Sequence, residues 1–214
     1  PDYIDWFKAC RNLQLSENVI RQNIDRLDRP YIVKTQTIPE DVLELQLSGF
    51  DWEDVQKYQV LPLRLIKKNN EIFSARMALQ NVQYPLNTLE YLATIDGDLV
   101  DTIFQYQKVD DVFIEKRMNS ANVNIISRYQ KLSSEFIEKN FNMFKPSILV
   151  EFQQMSEELI EKHLKSFDIN AIAKYQNLSY DFCVRHNINA SMIIMYQTPS
   201  LEYVQNSVKF NENS

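Results

Sequence analysis

A repeat of about 23 residues, marked by glutamine, constrains this chain more than any other feature. Four glutamines, at positions 107, 130, 153 and 176, follow one another at intervals of 23 residues. Extending the series in both directions predicts units that end near Gln14, Gln36, Gln59, Gln80, Gln107, Gln130, Gln153, Gln176 and Gln197. Repeats of this length usually stack so that neighbouring units share one core. We therefore predict a single α-helical repeat domain over residues 1–214, with about eight units and a polar tail at about 209–214.

Each unit is predicted to contain two short helices, A and B. Helix A follows the glutamine, because a Ser, Pro or Asp suited to a helix start comes three residues after it, as at Ser133. A large apolar residue stands six residues after the glutamine in most units: Val42, Leu65, Leu86, Phe113, Phe136, Leu159 and Phe182. Helix B ends at the glutamine and begins near an Asp or Asn eight residues before it: Asp28, Asp51, Asn122, Asp168 and Asn189.

Composition agrees with an all-α fold, an α-solenoid of short antiparallel helix pairs. The chain has only 2 glycines and no long alternation of apolar and polar residues, which argues against strands and Gly-rich phosphate loops. Such short helices are marginal alone, so they must bury their apolar faces on neighbouring repeats. The unit from Asn81 to Gln107 is four residues longer than the others, and Asp96, Gly97 and Asp98 predict a longer loop between its helices.

The dipeptide Tyr-Gln closes many of the units. Its tyrosine is replaced by Phe152, Leu79 or Leu13 elsewhere, and a catalytic phenol would not be exchanged for phenylalanine or leucine. We therefore predict that the ring packs as an apolar side chain at the end of helix B. The glutamine at the B-to-A junction is predicted to bond helix-end carbonyls or the glutamine of the neighbouring repeat.

Charge and cysteine usage limit the classes of function. The net charge of −6 argues against a nucleic-acid binder, which is usually basic. No apolar run is long enough to span a bilayer and no secretory signal precedes the first helix, so we expect neither a membrane protein nor a secreted one. Two cysteines, Cys10 and Cys183, form no disulfide framework, which favours an intracellular reducing compartment.

The residue types that usually carry chemistry occur here in positions that suit a structural role. Cys183 stands where other units have Ile137, and Cys10 where they have Ile126, so both are predicted to be core residues. His163 and His186 are 23 residues apart and could form a two-histidine metal site, but no carboxylate or thiol shares their position. We expect no metal, no cofactor, no small-molecule substrate and no catalytic residue.

Two surfaces are candidates for binding a partner. Helix A carries a basic row with an acidic row beside it, which predicts either ion pairs between repeats on a solvated face or a docking stripe for an acidic partner or polyanion. The acidic row is Glu115, Glu138 and Glu161. The second surface is the loop of the long unit, read as a plain turn or as a cation-binding loop. The candidate partner-binding residues are Lys68, Lys116, Lys139, Lys162, Arg185, Asp96 and Asp98.

The segments "ISRYQKLSSEFIEKN" and "IAKYQNLSYDF" resemble short tandem helical repeats, of the form YQ-x-LS-x-x-FI, in mostly uncharacterised proteins of large DNA viruses and phages. The motif specifies architecture and carries no catalytic residues, and our leading interpretation is a non-enzymatic scaffold that binds other proteins, as a viral structural component such as a minor capsid or tegument protein. Its partners would be viral capsid or host proteins, and its location the virion or the host cytoplasm. The alternatives are a soluble inhibitor or adaptor that binds a host protein and, third, an enzyme with a site in the solenoid groove.

Overall fold

The computed structural model describes residues 4–196, apart from the side chain of Ala190. This part of the chain is entirely helical, as predicted, and contains no strand. The A helices are α2 Glu17–Asn23, α4 Glu40–Gln46, α6 Leu63–Lys68, α8 Leu86–Ile95, α10 Asp111–Arg117, α12 Ser134–Lys139, α14 Glu157–Lys162 and α16 Tyr180–Arg185. The B helices are α1 Trp6–Asn12, α3 Arg29–Thr35, α5 Trp52–Tyr58, α7 Ala75–Asn81, α9 Leu99–Tyr106, α11 Val123–Tyr129, α13 Pro146–Phe152, α15 Ile169–Tyr175 and α17 Ala190–Tyr196.

Most A helices continue into one turn of 3-10 helix before the chain reaches helix B. These turns are Ile24–Arg26, Leu47–Gly49, Met118–Ser120, Phe141–Met143 and Leu164–Ser166. Several of the predicted caps bond the start of their helix, although Asp28 makes no capping hydrogen bond. The Ser133 hydroxyl accepts a hydrogen bond from the Phe136 N–H at 3.1 Å, and Asp51 caps α5 by accepting one from the Asp54 N–H at 3.0 Å. Each cap satisfies one of the backbone donors that a helix N-terminus leaves without a partner.

The described residues divide into two compact units, one up to Lys108 and the other from Val109. Each unit is a stack of helix pairs, in which every B helix packs on the next B helix along the chain. In the first unit the stacked helices are α1, α3, α5, α7 and α9, and in the second they are α11, α13, α15 and α17. The core of the second unit includes Ile137 and Ile160 from A helices with Leu149 and Ile172 from B helices, and the solvent reaches none of them.

The structure corrects the repeat register in the first unit. Each B helix ends at a residue whose N–H closes the last turn. For α1 this residue is Leu13 rather than the predicted Gln14, and for α7 it is Val82 rather than the predicted Gln80. The repeat ends therefore fall at 13, 36, 59 and 82, which are 23 residues apart, and only the interval from 82 to 107 is longer, by two residues rather than four. The predicted core residue Leu86 is consequently 44% exposed, while Thr88 is buried in its place.

The longer unit does not contain a longer loop, contrary to the prediction. Its extra residues extend the helices instead, since α8 has 10 residues and α9 has 8. Only residues 96–98 connect the two helices, and the 3-10 turn found in most other units is missing from this one. The Asp96-Gly97-Asp98 triplet forms the short connection, and α8 absorbs most of the additional length.

The last described repeat is shortened by a left-handed residue. Asn187 has a φ of 53°, and the Ile188 N–H donates to the Cys183 carbonyl at 2.8 Å. This bond closes α16 in a Schellman arrangement, in which asparagine is the usual substitute for glycine. The predicted repeat end Gln197 and the predicted tail at 209–214 lie outside the described residues.

Candidate functional site

The repeated glutamine bridges each repeat to the one before it. The Gln153 side chain is 4% exposed, and its Nε2 donates to the Ser127 carbonyl at 2.6 Å and to the Gln130 carbonyl at 2.8 Å. Its Oε1 accepts from the Leu132 N–H at 3.0 Å. The two carbonyls belong to the end of α11, where the last carbonyls of a helix have no N–H donor within the helix. One buried amide therefore satisfies two carbonyls of the preceding repeat and one N–H at the junction that follows it.

The same bridge recurs along both units. Gln176 bonds the Val150 and Gln153 carbonyls and the Met155 N–H at 2.6, 2.7 and 3.0 Å. In the first unit, Gln59 bonds Val33, Gln36 and Ile38 in the same way. This result confirms the prediction that the glutamine bonds helix-end carbonyls and the neighbouring repeat's glutamine. We call these buried glutamines the inner amide column: Gln36, Gln59, Gln107, Gln130, Gln153 and Gln176.

Val82 interrupts the inner amide column in the first unit. A glutamine there would accept from the Leu61 N–H, by analogy with Gln59 and Ile38. Tyr84 lies beside that N–H instead, although its buried hydroxyl does not reach hydrogen-bonding geometry. Burial raises the pKa of Tyr84 to about 12, and the Leu61 N–H opposes that shift. An aromatic side chain thus occupies the space that an amide fills elsewhere.

The tyrosines of the Tyr-Gln pairs are partly exposed, which corrects the prediction that they pack as apolar core residues. In the second unit the last residues of successive B helices are Tyr129, Phe152, Tyr175 and Tyr196, and we call this set the aromatic row. Tyr129 is 54% and Phe152 is 41% exposed. The buried position belongs to the glutamine one residue later, which points in another direction because a helix turns by about 100° per residue.

Basic side chains lie over the rings of the aromatic row. The Arg128 guanidinium is 4.9 Å from the centre of the Phe152 ring, and the Lys174 ammonium is 5.4 Å from the centre of the Tyr196 ring. Contacts of this kind are attractive because the ring face carries partial negative charge. Cations and aromatic rings therefore alternate along this part of the surface.

Three members of the predicted basic row form ion pairs within the protein. Lys139 forms an ion pair with Glu115 of the preceding repeat at 2.5 Å, and Arg185 pairs with Glu161 at 3.0 Å. Lys162 pairs with Glu138 in the same manner, and this contact holds the pKa of Glu138 below its usual value. We call these contacts the charge ladder. They match the interpretation of the two rows as ion pairs between repeats on an exposed face.

The remaining candidate residues are distributed over separate surfaces. Lys68 is exposed in the first unit, while Lys116 is exposed in the second. Asp96 and Asp98 form an exposed turn in which the Asp96 carboxylate accepts from the Asp98 N–H at 2.9 Å. The structure therefore brings Lys139, Lys162 and Arg185 into one ladder.

The cysteines and histidines lie among packed side chains. Cys10 and Cys183 are free thiols and both are buried, but Cys10 is equivalent to Ser127 in the corrected register rather than to Ile126. The His163 ring stacks on Phe141 with 3.7 Å between ring centres. The His186 Nε2 is 3.2 Å from a Glu161 carboxylate oxygen. Within residues 4–196 no group of three His, Cys, Asp or Glu side chains could hold a metal ion.

These features define an all-helical tandem-repeat protein whose repeats are joined by side-chain amides. No known protein family, characterised protein or solved structure matched the chain. In the described part of the chain, no helix has the length and apolar character needed to cross a membrane.

Proposed function

We propose that this protein is a non-enzymatic scaffold that binds other proteins through its helical repeats. The observation that carries the proposal is the aromatic row, where the same position of successive repeats presents a half-exposed ring. Tyrosine, phenylalanine and arginine are the residue types enriched at protein interfaces, where they contribute much of the binding energy. A structural role alone does not require these rings to face solvent, since the buried glutamine beside each ring already joins the repeats.

The aromatic row is a better candidate than the charge ladder for the contact surface. Each cation of the ladder already has a carboxylate partner, so a docking protein would have to compete with Glu115, Glu138 and Glu161. The cations beside the aromatic row, Arg128 and Lys174, lie against ring faces, and the rings remain partly exposed. Basic residues beside exposed rings favour a partner with acidic and apolar side chains.

A finer proposal concerns where the scaffold acts. The resemblance of the YQ-x-LS-x-x-FI units to repeats of large DNA viruses and phages supports a structural component of a virus particle, such as a minor capsid or tegument protein. The second candidate is an inhibitor or adaptor that binds a host protein during infection. Mass spectrometry separates the two, because a structural component is present in purified particles in fixed proportion and an inhibitor is present in infected cells alone.

The scaffold function can be tested by exchanging one surface at a time. Proteins that copurify with the tagged chain from its source cells would be compared between the native chain and two variants. The first variant replaces the rings, with Tyr129→Ser, Phe152→Ser and Tyr175→Ser. The matched control reverses the ladder cations, with Lys139→Glu, Lys162→Glu and Arg185→Glu. We expect the first variant to lose a specific partner while its helical content is unchanged, and the second to retain it.

The opposite result would move the site to the other surface. If the charge-reversed variant loses the partner and the ring variant keeps it, the basic row is the docking stripe, as the sequence allowed. Binding would then also fall as salt rises, because exposed charges are screened beyond about 8–10 Å at physiological ionic strength. A partner that survives both sets of changes would contradict both assignments.

A further inference from the structure

A second type of amide bridge lies outside the inner amide column. The Gln154 side chain reaches forward to the next repeat, where its Nε2 donates to the Tyr175 carbonyl at 2.9 Å and its Oε1 accepts from the Asn177 N–H at 3.4 Å. Gln83 makes the same two contacts with Tyr106 and Lys108, at 2.6 and 3.1 Å. The chain is extended at each of these junctions, so that a carbonyl and the N–H two residues later point to the same side.

The repeat before Gln154 has this backbone edge but lacks the amide. Lys131 occupies the position equivalent to Gln154, 23 residues earlier, and the edge that it faces consists of the Phe152 carbonyl and the Gln154 N–H. Within the described residues 4–196, neither the Phe152 carbonyl nor the Gln154 N–H forms a backbone hydrogen bond outside the helices. A hollow of about 320 Å³ lies at this junction, and Arg128, Tyr129, Lys131, Phe152 and Gln154 are among its lining residues.

We propose that this hollow binds the carboxamide of a glutamine or asparagine side chain presented by an acidic segment of a partner protein. The proposal rests on the scaffold function and gives the chemistry of the contact. The partner's amide would donate to the Phe152 carbonyl and accept from the Gln154 N–H. It would thereby reproduce in trans the bridge that Gln154 makes to Tyr175 and Asn177.

The arrangement selects a carboxamide because the edge offers one acceptor and one donor. A carboxylate can only accept, so one of its oxygens would face the Phe152 carbonyl without a proton between them. An ammonium group can only donate and leaves the Gln154 N–H without a partner. The Tyr129 and Phe152 rings, 54% and 41% exposed, would cover the methylene groups of the incoming side chain. Arg128 and Lys131 supply the positive charge that favours acidic residues beside it.

The test uses the full chain and a library of random short peptides displayed on phage. Peptides selected on the native chain would be measured again on Lys131→Gln, which supplies the amide from within and fills the hollow. Lys131→Ala is the matched control, because it removes the same charge and leaves the hollow open. We expect the selected peptides to share a glutamine or asparagine at one aligned position, flanked by acidic residues. Their affinity should fall about tenfold on Lys131→Gln, as two hydrogen bonds are lost, and much less on Lys131→Ala.

Two further measurements locate the contact. In the NMR spectrum of the native chain, the Gln154 N–H signal should move on peptide binding, while that of Asn177, already bonded by Gln154, should not. The Gln154→Ala variant should gain a second site at the vacated edge of Tyr175 and Asn177. The proposal is overturned if no peptide is selected, if the selected peptides lack a shared amide residue, or if Lys131→Gln binds them as well as the native chain does.

The outcome also separates this inference from the scaffold function. A natural partner that requires the aromatic row but binds Lys131→Gln normally would leave the scaffold function standing and remove the amide site. If peptides depend on the hollow but the natural partners bind equally well without the aromatic row, the amide site stands and the aromatic row is removed as the scaffold's contact surface.

Discussion

The inner amide column and the charge ladder both join neighbouring repeats, as between α11 and α13 or between α10 and α12, with contacts 21 to 26 residues apart along the chain. They differ in burial. Gln153 is 4% exposed and bonds three backbone groups, whereas the Lys139 and Glu115 side chains of the ladder are 62% and 49% exposed. Removing a partner from a buried backbone group leaves that group without water or protein to bond. Removing one member of an exposed ion pair returns the other to solvent.

The comparison shows which polar contact specifies the fold. A glutamine at the end of helix B can only be satisfied when the preceding repeat is stacked in register, because two of its three partners are carbonyls of that repeat and the third is an N–H at the junction that follows it. Misplacing the repeats by one residue would leave the amide and the three backbone groups unpaired together. The ladder tolerates such shifts, since long exposed side chains adapt their conformation and water replaces lost contacts.

The largest effect is expected for Gln153→Leu. Leucine is similar in volume to glutamine and can be buried, but it leaves the Ser127 and Gln130 carbonyls and the Leu132 N–H without partners. At about 1 kcal/mol or more for each buried group, the free energy of unfolding should fall by at least about 3 kcal/mol. Urea denaturation followed by circular dichroism measures this change. A loss below about 1 kcal/mol would show that these bonds are not what holds the repeats.

The interruption of the column at Val82 gives a pH-dependent prediction. Tyr84 has a pKa raised by burial to about 12 in the folded protein, above the ordinary value of 10.0. The unfolded chain therefore releases the Tyr84 proton at a lower pH than the folded chain does, and its contribution to stability is complete below about pH 10 and is lost as the pH rises towards 12. Tyr84→Phe should remove this part of the alkaline slope. Absorbance titration should show one tyrosine that ionises near pH 12 in the native chain only.

An intermediate effect is expected for Gln154→Leu, the neighbour of the first variant in sequence. The Gln154 amide makes two hydrogen bonds to the next repeat, but it is exposed, so water can take its place. The free energy of unfolding should fall by about 0.5–1.5 kcal/mol, less than for Gln153→Leu. If the two adjacent variants lose the same stability, burial does not explain the difference between the inner and outer amides.

The smallest effect is expected for the charge ladder. Glu138→Gln with Lys162→Gln removes one exposed ion pair while keeping side chains of similar length. The pKa of Glu138 is lowered by Lys162 in the folded state, so the pair contributes above the carboxyl group's unfolded pKa and the contribution fades as the pH falls through its folded pKa. We expect no resolvable change in melting temperature at neutral pH. A large loss of stability in the double variant would place the ladder on a par with the amide column.

The repeat and its helices could be predicted from the sequence because caps and apolar positions recur at fixed spacing. Ser133 and Asp51 cap helices as their residue types indicate. The register at Val82 could not be predicted, because Gln80 is the same residue type as the glutamine that marks the other repeat ends. Only the bond from the Val82 N–H to the Ala78 carbonyl shows where the helix ends. The length of α8 was not predicted either, since Asp96 and Gly97 indicate a turn but not how many residues the preceding helix contains.

The candidate site was harder to predict than the fold. The recurrence of Tyr129, Phe152 and Tyr175 shows that the position matters, but recurrence alone does not say which face of the helix it occupies. The buried glutamine one residue later gives no answer either, because adjacent residues such as Phe136 and Ile137 can both be buried. The second amide bridge, made by Gln154, could have been suspected because Gln154 directly follows the repeat glutamine Gln153. The repeat pattern drew attention to Gln153 alone.

Hydrogen exchange at the Leu132 and Met155 N–H groups tests the central claim, that buried glutamines hold each repeat on the one before it. Each N–H donates to one glutamine Oε1, of Gln153 and Gln176 respectively. Both should exchange slowly in the native chain. In Gln153→Leu, the Leu132 N–H should exchange much faster than the loss of global stability accounts for, while Met155 changes only with global stability. A Leu132 N–H that exchanges freely in the native chain, or equally in both chains once global stability is considered, would contradict the account.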